Sequence, residues 1–136
     1  MAEKIELEIV TPERRVVAEV VDSLVLPSQD GELGVLAGHA PMLCRLAIGQ
    51  VTYKKDGQEE IIAISGGFAE ILGERVSVLA ETAEFSAEID IDRAKKAQER
   101  AEPRSRLEQT EWDFPRAKLA LQKAVNRISA RQRAGL

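Results

Sequence analysis

Arg93 and Arg100 follow Asp90 and Asp92 in the run IDIDRAKKAQER, residues 89–100. A guanidinium is the side chain whose rigid fork matches the oxygens of a phosphate. Basic residues return at Arg116, Lys123, Arg127, Arg131 and Arg133, in a stretch that carries no acidic side chain after Asp113. Such a stripe suits an acidic partner. Both patterns also have a plain structural use: an aspartate at a helix start caps it, and charges three or four residues apart lace an exposed helix face. Spacing alone leaves both uses open. His39, the single histidine, has the chemistry of a general base, but a base needs a positioned nucleophile and an orienting partner. The sequence sets neither beside it, so a hydrogen-bonded loop histidine is expected and no catalytic residue is assigned. The G-x-x-x-x-G-K-[ST], H-E-x-x-H, C-x-x-C and G-x-S-x-G patterns are all missing. The common phosphate cradle, zinc site, redox pair and nucleophile elbow go with them, and no metal site is expected.

The elements that must position these residues fall into two kinds. Residues 4–10, KIELEIV, alternate polar and apolar with period two, as a strand with one buried face does, and Thr11-Pro12 ends it. Further apolar runs occupy residues 15–21, 23–26, 51–55, 60–65, 68–72 and 76–80. Asp56-Gly57 sits between two of them as a type I′ hairpin turn. Short strands at about ten-residue spacing indicate an antiparallel sandwich or barrel. Gly31, Gly34, Gly38 and Pro41 predict an ordered connection with sharp bends over residues 30–43, and Gly66-Gly67 predict a bulge or a close packing contact.

The pattern changes near Glu84. From Asp90 onward helix formers dominate, with Ala94, Ala97 and Ala101 on one face. Pro103 is expected to end or kink this helix. Asp113 is expected to cap a second, with Pro115 in its first turn. There Ala117, Leu121, Ala124, Val125 and Ile128 form an apolar stripe, with the basic residues on the other side. The predicted fold is α+β: an N-terminal antiparallel β-sandwich over residues 1–86 and a C-terminal two-helix hairpin over 87–136.

Charge follows the same division. Residues 1–89 carry 16 acidic and 7 basic side chains, residues 90–136 carry 7 and 12, and the total is −4. The acidic total and scattered aromatics argue against nucleic acid as a partner. No run reaches the roughly 18 apolar residues of a membrane span, and the first residues predict no export signal. Cys44, the single cysteine, reads as a small core residue in a reducing compartment.

Two segments carry a family resemblance. DGELGVLAGHAPML, residues 30–43, fits G-x-x-G-x-L-x-x-H-x-P, and ISGGFAE, residues 64–70, ends a strand in G-G-F. Together they resemble the epsilon subunit of bacterial F-type ATP synthase, called delta in mitochondria, along almost the whole chain. The resemblance implies a non-catalytic subunit that couples proton-driven rotation to ATP synthesis at the cytoplasmic face of the plasma membrane. Its sandwich would dock on the gamma subunit of the central stalk and on the c-subunit ring, with Asp30, Glu32 and His39 as contacts. Its helices would brake ATP hydrolysis through Arg116, Lys123, Arg127 and Arg131, which would face acidic segments of the alpha and beta catalytic subunits. Residues 89–100 are similar to the I-D-x-x-R-A-x-x-x-x-x-R segment of ATP-binding members. This implies a regulatory ATP held by Glu84, Asp90, Arg93, Ala94, Arg100, Lys123 and Arg127, with no cofactor required. Lys123 departs from the arginine usual in that pattern and supplies a point charge without the fork. Outside the resemblance, an independent nucleotide-sensing or nucleic-acid-binding module and a small hydrolase using His39 are the alternatives.

Overall fold

A computed structural model describes residues 3–106 and 114–135. The chain divides into two compact units, residues 1–85 and 86–136. In the first, β1 (Ile5–Val10), β2 (Arg15–Val21), β3 (Ser23–Ser28), β4 (Gly31–Leu36), β5 (His39–Lys55), β6 (Gln58–Gly73), β7 (Arg75–Ala80) and β8 (Ala83–Phe85) follow one another. They pair in the order β2-β1-β7-β6-β5-β3-β4, with β8 on β6. The alternation read in the first strand is realised: Ile5, Leu7 and Ile9 are buried and the residues between them face outward. Leu24, Leu26, Val51, Ile62, Ile64, Ile71, Val76 and Val78 complete an aliphatic core. Cys44 lies in it, and burial pushes its thiol pKa up. All pairings are antiparallel except β1 with β7. Parallel neighbours need a long connection, and here the intervening strands supply it.

Two strands are longer than the sequence suggests. β5 and β6 pair from Met42↔Ile71 to Lys55↔Gln58 around Asp56-Gly57. Both turn residues have positive φ, 51° and 79°, as a type I′ turn requires. The runs predicted at 60–65 and 68–72 are halves of β6, and Gly66-Gly67 join them. The first half pairs with β8 through residues 62–64 and the second with β7 through residues 67–72. Gly67 has φ +132°, and a Cβ there would lie 2.0 Å from the Leu79 carbonyl oxygen. Only glycine lets the strand pass this crossing.

The connection expected over residues 30–43 is instead mostly strand. β4 pairs with β3 from Ser28↔Gly31 to Ser23↔Leu36, and β5 opens at His39. Gly31 and Gly38 do take positive φ, 123° and 87°, but they mark the start of β4 and the turn after it. Gly34 lies inside β4, opposite Val25. Pro41 falls where the β5–β6 register shifts, between His39 and Met42, the kind of place where a missing N–H is tolerated.

The second unit holds a 3-10 turn, Ser86–Glu88, then α1 (Ile91–Arg106) and α2 (Phe114–Arg133) packed on each other. α1 runs on through Pro103 to Arg106, so the proline does not end it. An interior proline costs about 3 kcal/mol. Contact between α1 and α2 offsets such a loss. α2 begins at Phe114 and places Pro115 in its first turn, while Asp113 lies outside the described residues.

Candidate functional site

The helical unit carries most of the candidate residues. Asp90 caps α1: its Oδ1 accepts the Arg93 amide at 3.1 Å and its carbonyl accepts the Ala94 amide at 3.0 Å. The structural use of this aspartate is therefore realised, and Asp92 adds a second carboxylate in the first turn, where the helix dipole favours it. Ala94 and Ala101 are buried and Ala97 is half-buried. Ala94 thus serves the seam, with its amide already bound. Arg93 and Arg100 are exposed on an adjacent face. With Asp90, Asp92, Lys96 and Glu99 they line an open depression of about 560 Å³. Three cations and three carboxylates share it, which gives a polar surface able to take an anion beside a hydrogen-bond donor.

α2 departs from the expected stripe. Ala117, Ala124 and Ala130 are buried and Leu121 and Ile128 half-buried, but Val125 is 44% exposed. At about 100° per residue, 131 falls about 40° and 127 about 80° from 117, whereas 116 and 123 lie roughly 100–120° away, none of them opposite it. The inward side is therefore alanine with half-buried Leu121 and Ile128 and the stems of Lys123, Arg127 and Arg131, and Val125 is turned out of it. Arg116 is exposed, whereas Lys123, Arg127 and Arg131 are half-buried. The Arg127 Nε is shut off from solvent. Arg131 Nη1 donates to the Ala87 carbonyl at 3.0 Å and to that of Ser86 at 3.4 Å. The expected basic face is thus not a uniform solvated stripe.

The expected nucleotide set is distributed over this frame. Asp90, Arg93 and Arg100 share the depression on α1, and Lys123 and Arg127 stand on the inward side of α2. Glu84 belongs to the first unit, half-buried on β8 and paired with Ala63.

On the sandwich, Asp30 and Glu32 are exposed around the start of β4. Ser28 Oγ accepts the Asp30 amide at 3.2 Å and donates to the Gly31 carbonyl at 2.6 Å, which fixes that turn. His39 follows the turn beyond the other end of β4, a strand length of about 17 Å along the chain. Its Nδ1 lies 2.7 Å from the Ala40 carbonyl oxygen. A carbonyl only accepts, so Nδ1 carries the proton and donates. The ring is fixed by backbone, not by a carboxylate.

One surface was not found from the sequence. Arg45 pairs with Phe68, Phe68 with Leu79 and Leu79 with Val10, forming a single row across β5, β6, β7 and β1. Phe68 is 49% and Leu79 60% exposed, and Leu43, diagonal to Phe68, is 71% exposed. The Arg45 guanidinium lies over the Phe68 ring, 6.0 Å from its centroid. Phe68 and Leu72 face outward on either side of exposed Glu70, while Ala69 and Ile71 face the core, so apolar residues stand on both faces of this half of β6. Alternation then cannot separate inside from outside, and the only signal was an excess of apolar residues for a half-buried strand.

Among the described residues no group of three His, Cys, Asp or Glu side chains is placed to hold a metal ion, and no helix is long and apolar enough to cross a membrane.

Comparison with known proteins matches residues 4–86 to the beta-sandwich domain of the ATP synthase delta/epsilon chain and residues 87–132 to its long alpha-helix domain. An ATP synthase epsilon chain from Syntrophobacter fumaroxidans is 47% identical over 133 residues, covering 98% of this chain and 99% of the relative. One from Desulforamulus reducens is 46% identical over 130 residues, covering 96% and 98%. A chain in the cryo-EM structure of Euglena gracilis mitochondrial ATP synthase, OSCP/F1/c-ring in rotational state 1, superposes with a TM-score of 0.83. It is 28% identical, and the match covers 93% of this chain and 81% of that one. A chain from the Tetrahymena thermophila central stalk/c-ring structure shares the fold, with a TM-score of 0.55 at 12% identity.

Proposed function

The chain belongs to the ATP synthase delta/epsilon family and is a central-stalk component of the F-type enzyme, and from that premise we propose a division of labour between its two units. The sandwich docks and the helices regulate. The observation that carries the proposal is the outward row of Phe68 and Leu79 with Leu43 beside it, on a unit whose core is already filled. Fully burying such a side chain contributes about 1.5–3 kcal/mol. Side chains already half covered give less each, and a few together suffice to anchor a docked face. We assign this row to the gamma subunit, with Arg45 at its edge, and the β4 start and His39 to the c-subunit ring. The chain then sits at the cytoplasmic face of the plasma membrane as a peripheral member of the complex, with no active site, metal or required cofactor of its own.

The helical unit is the brake. In its compact form the alanine seam is closed and the cationic stems of α2 are drawn inward. In an extended form Arg116, Lys123 and Arg127 face acidic segments of the alpha and beta subunits and oppose rotation in the hydrolysis direction. ATP on Arg93, Arg100, Lys123 and Arg127 favours the compact form and relieves inhibition, by no more than its differential affinity for the two forms. Capped by Asp90, α1 holds the first two arginines in register. Lys123 adds charge without bidentate geometry.

Docking is tested by the double variant Leu43→Asp, Phe68→Asp. Both side chains are exposed, so the isolated chain should keep its fold, read by circular dichroism, and fail to co-purify with the rest of the complex. Co-purification at the parental level would move the docking face elsewhere.

A further inference from the structure

The end of α2 does more than close the seam. Ala130 is buried, and its neighbour Arg131 donates to the carbonyls of Ala87, at 3.0 Å, and Ser86, at 3.4 Å. Both carbonyls belong to the 3-10 turn that leads into α1, and the Ser86 carbonyl also accepts the Ile89 amide at 3.3 Å. Ser86 and Ile89 are themselves buried, so this turn is a fixed part of the compact unit, and α2 packs on it as well as on α1.

We propose that Arg131 is a latch: it ties the last turns of α2 to the turn before α1 and so sets how readily the helical hairpin opens. Two features make one side chain decisive. The fully buried positions of the seam it supplements are Ala94, Ala101, Ala117, Ala124 and Ala130, each with only a methyl group to bury, and Leu121 and Ile128 are only half-buried beside them. A guanidinium on carbonyl oxygens makes a charge-assisted bond, roughly twice as strong as a neutral one. Arg131 also stands in the last turn of its helix, where the dipole favours a cation. Its bond therefore holds a large share of the closed state. The same geometry removes Arg131 from the extended form's basic face, because it must leave two carbonyls before it can meet an acidic partner. Arg116, exposed in the compact form, forgoes nothing of the kind.

The test is amide hydrogen exchange on the full chain without nucleotide. Arg131→Ala should speed exchange in α1 and α2 by about ten- to a hundredfold while amides around Ile64 in the sandwich stay unchanged. Arg131→Lys, which keeps the charge and loses the fork, should fall between. Lys118→Ala, on the exposed side of α2, should match the parent. Unchanged exchange in Arg131→Ala overturns the latch, as does an equal acceleration in Lys118→Ala. The brake reading enters only through the consequence in the assembled complex: Arg131→Ala should deepen inhibition of ATP hydrolysis, whereas Arg116→Ala should relieve it. Faster exchange with hydrolysis unaltered upholds the latch and counts against the brake. Deeper inhibition without faster exchange overturns the latch.

Discussion

The two units of this chain are held by different kinds of contact. In the sandwich the buried residues are mostly Ile, Leu and Val from every long strand, locked by a hairpin ladder that runs nearly the length of β5 and β6. In the helical unit the fully buried positions are mostly alanines, supplemented by a capping aspartate and an arginine on backbone carbonyls. A Leu or Ile buried in a core is worth about 1.5–3 kcal/mol, whereas an alanine methyl gives about 0.8 kcal/mol. One unit is therefore a platform and the other a device whose polar contacts decide its state. The proposed division of labour, a docked sandwich with helices that rearrange, needs that inequality.

The comparison breaks first at Gly67. Its positive φ and the backbone 2.0 Å from where a Cβ would stand leave no room for a side chain. Gly67→Ala should abolish cooperative melting of the sandwich or lower its midpoint by well over 10 °C, beyond the 4–8 °C that about 1 kcal/mol costs a domain of this size. A calorimetric midpoint within a few degrees of the parent would mean that the β6 crossing is not the constraint described. Arg127→Ala comes next in size. It should weaken ATP binding about ten- to a hundredfold, the equivalent of losing about 1.5–3 kcal/mol in a charge-assisted contact. Calorimetry giving equal affinity for the two proteins would leave the half-buried arginine with a purely structural role.

Smaller effects sharpen the contrast. Asp90→Ala removes a cap worth about 1 kcal/mol. It should speed hydrogen exchange in α1 by about fivefold without touching the strands, and equal acceleration in both units would deny that they open separately. The smallest effect concerns the sandwich in acid. The Lys4 ammonium bonded to Asp22 holds that carboxyl below its ordinary range, aided by the Asp56 amide at 3.0 Å. A lowered folded-state pKa stabilises above the unfolded value near 3.8 and is lost as pH falls through the folded value. Asp22→Asn should therefore lower the sandwich's melting midpoint slightly at neutral pH and converge with the parent in strong acid. Parallel melting curves from neutral to acid pH would show that the pair contributes nothing.

How much of this was legible in the sequence follows from what leaves a local trace. Period-two alternation located β1, and the demand for positive φ at adjacent positions located the Asp56-Gly57 turn. The close contact read at Gly66-Gly67 is real, with backbone set directly against Gly67. Gly34 misled: it reads as part of a bent connection and lies within β4. Pro103 misled in the same way. Among the site residues, the cap at Asp90 and the pairing of Arg93 with Arg100 on one face follow from helical spacing. The inward turn of Arg127 and Arg131 does not, because an alanine-rich helix offers two candidate faces and only packing chooses between them. Arg131 binds backbone carbonyls, acceptors that every residue possesses and no motif reveals. The docking row was hidden because the outward Phe68 and Leu79 each stand next to core-facing apolar residues, Ala69 and Val78, so alternation does not mark them.

The central claim, that the sandwich docks while the helices restrain hydrolysis, is tested most directly by removing residues 114–136 and measuring ATP hydrolysis by the assembled complex. The account predicts a higher hydrolysis rate with the truncated chain still bound at parental stoichiometry. An unchanged rate in a fully assembled complex would contradict the brake, and loss of the truncated chain from the complex would contradict docking through the sandwich alone.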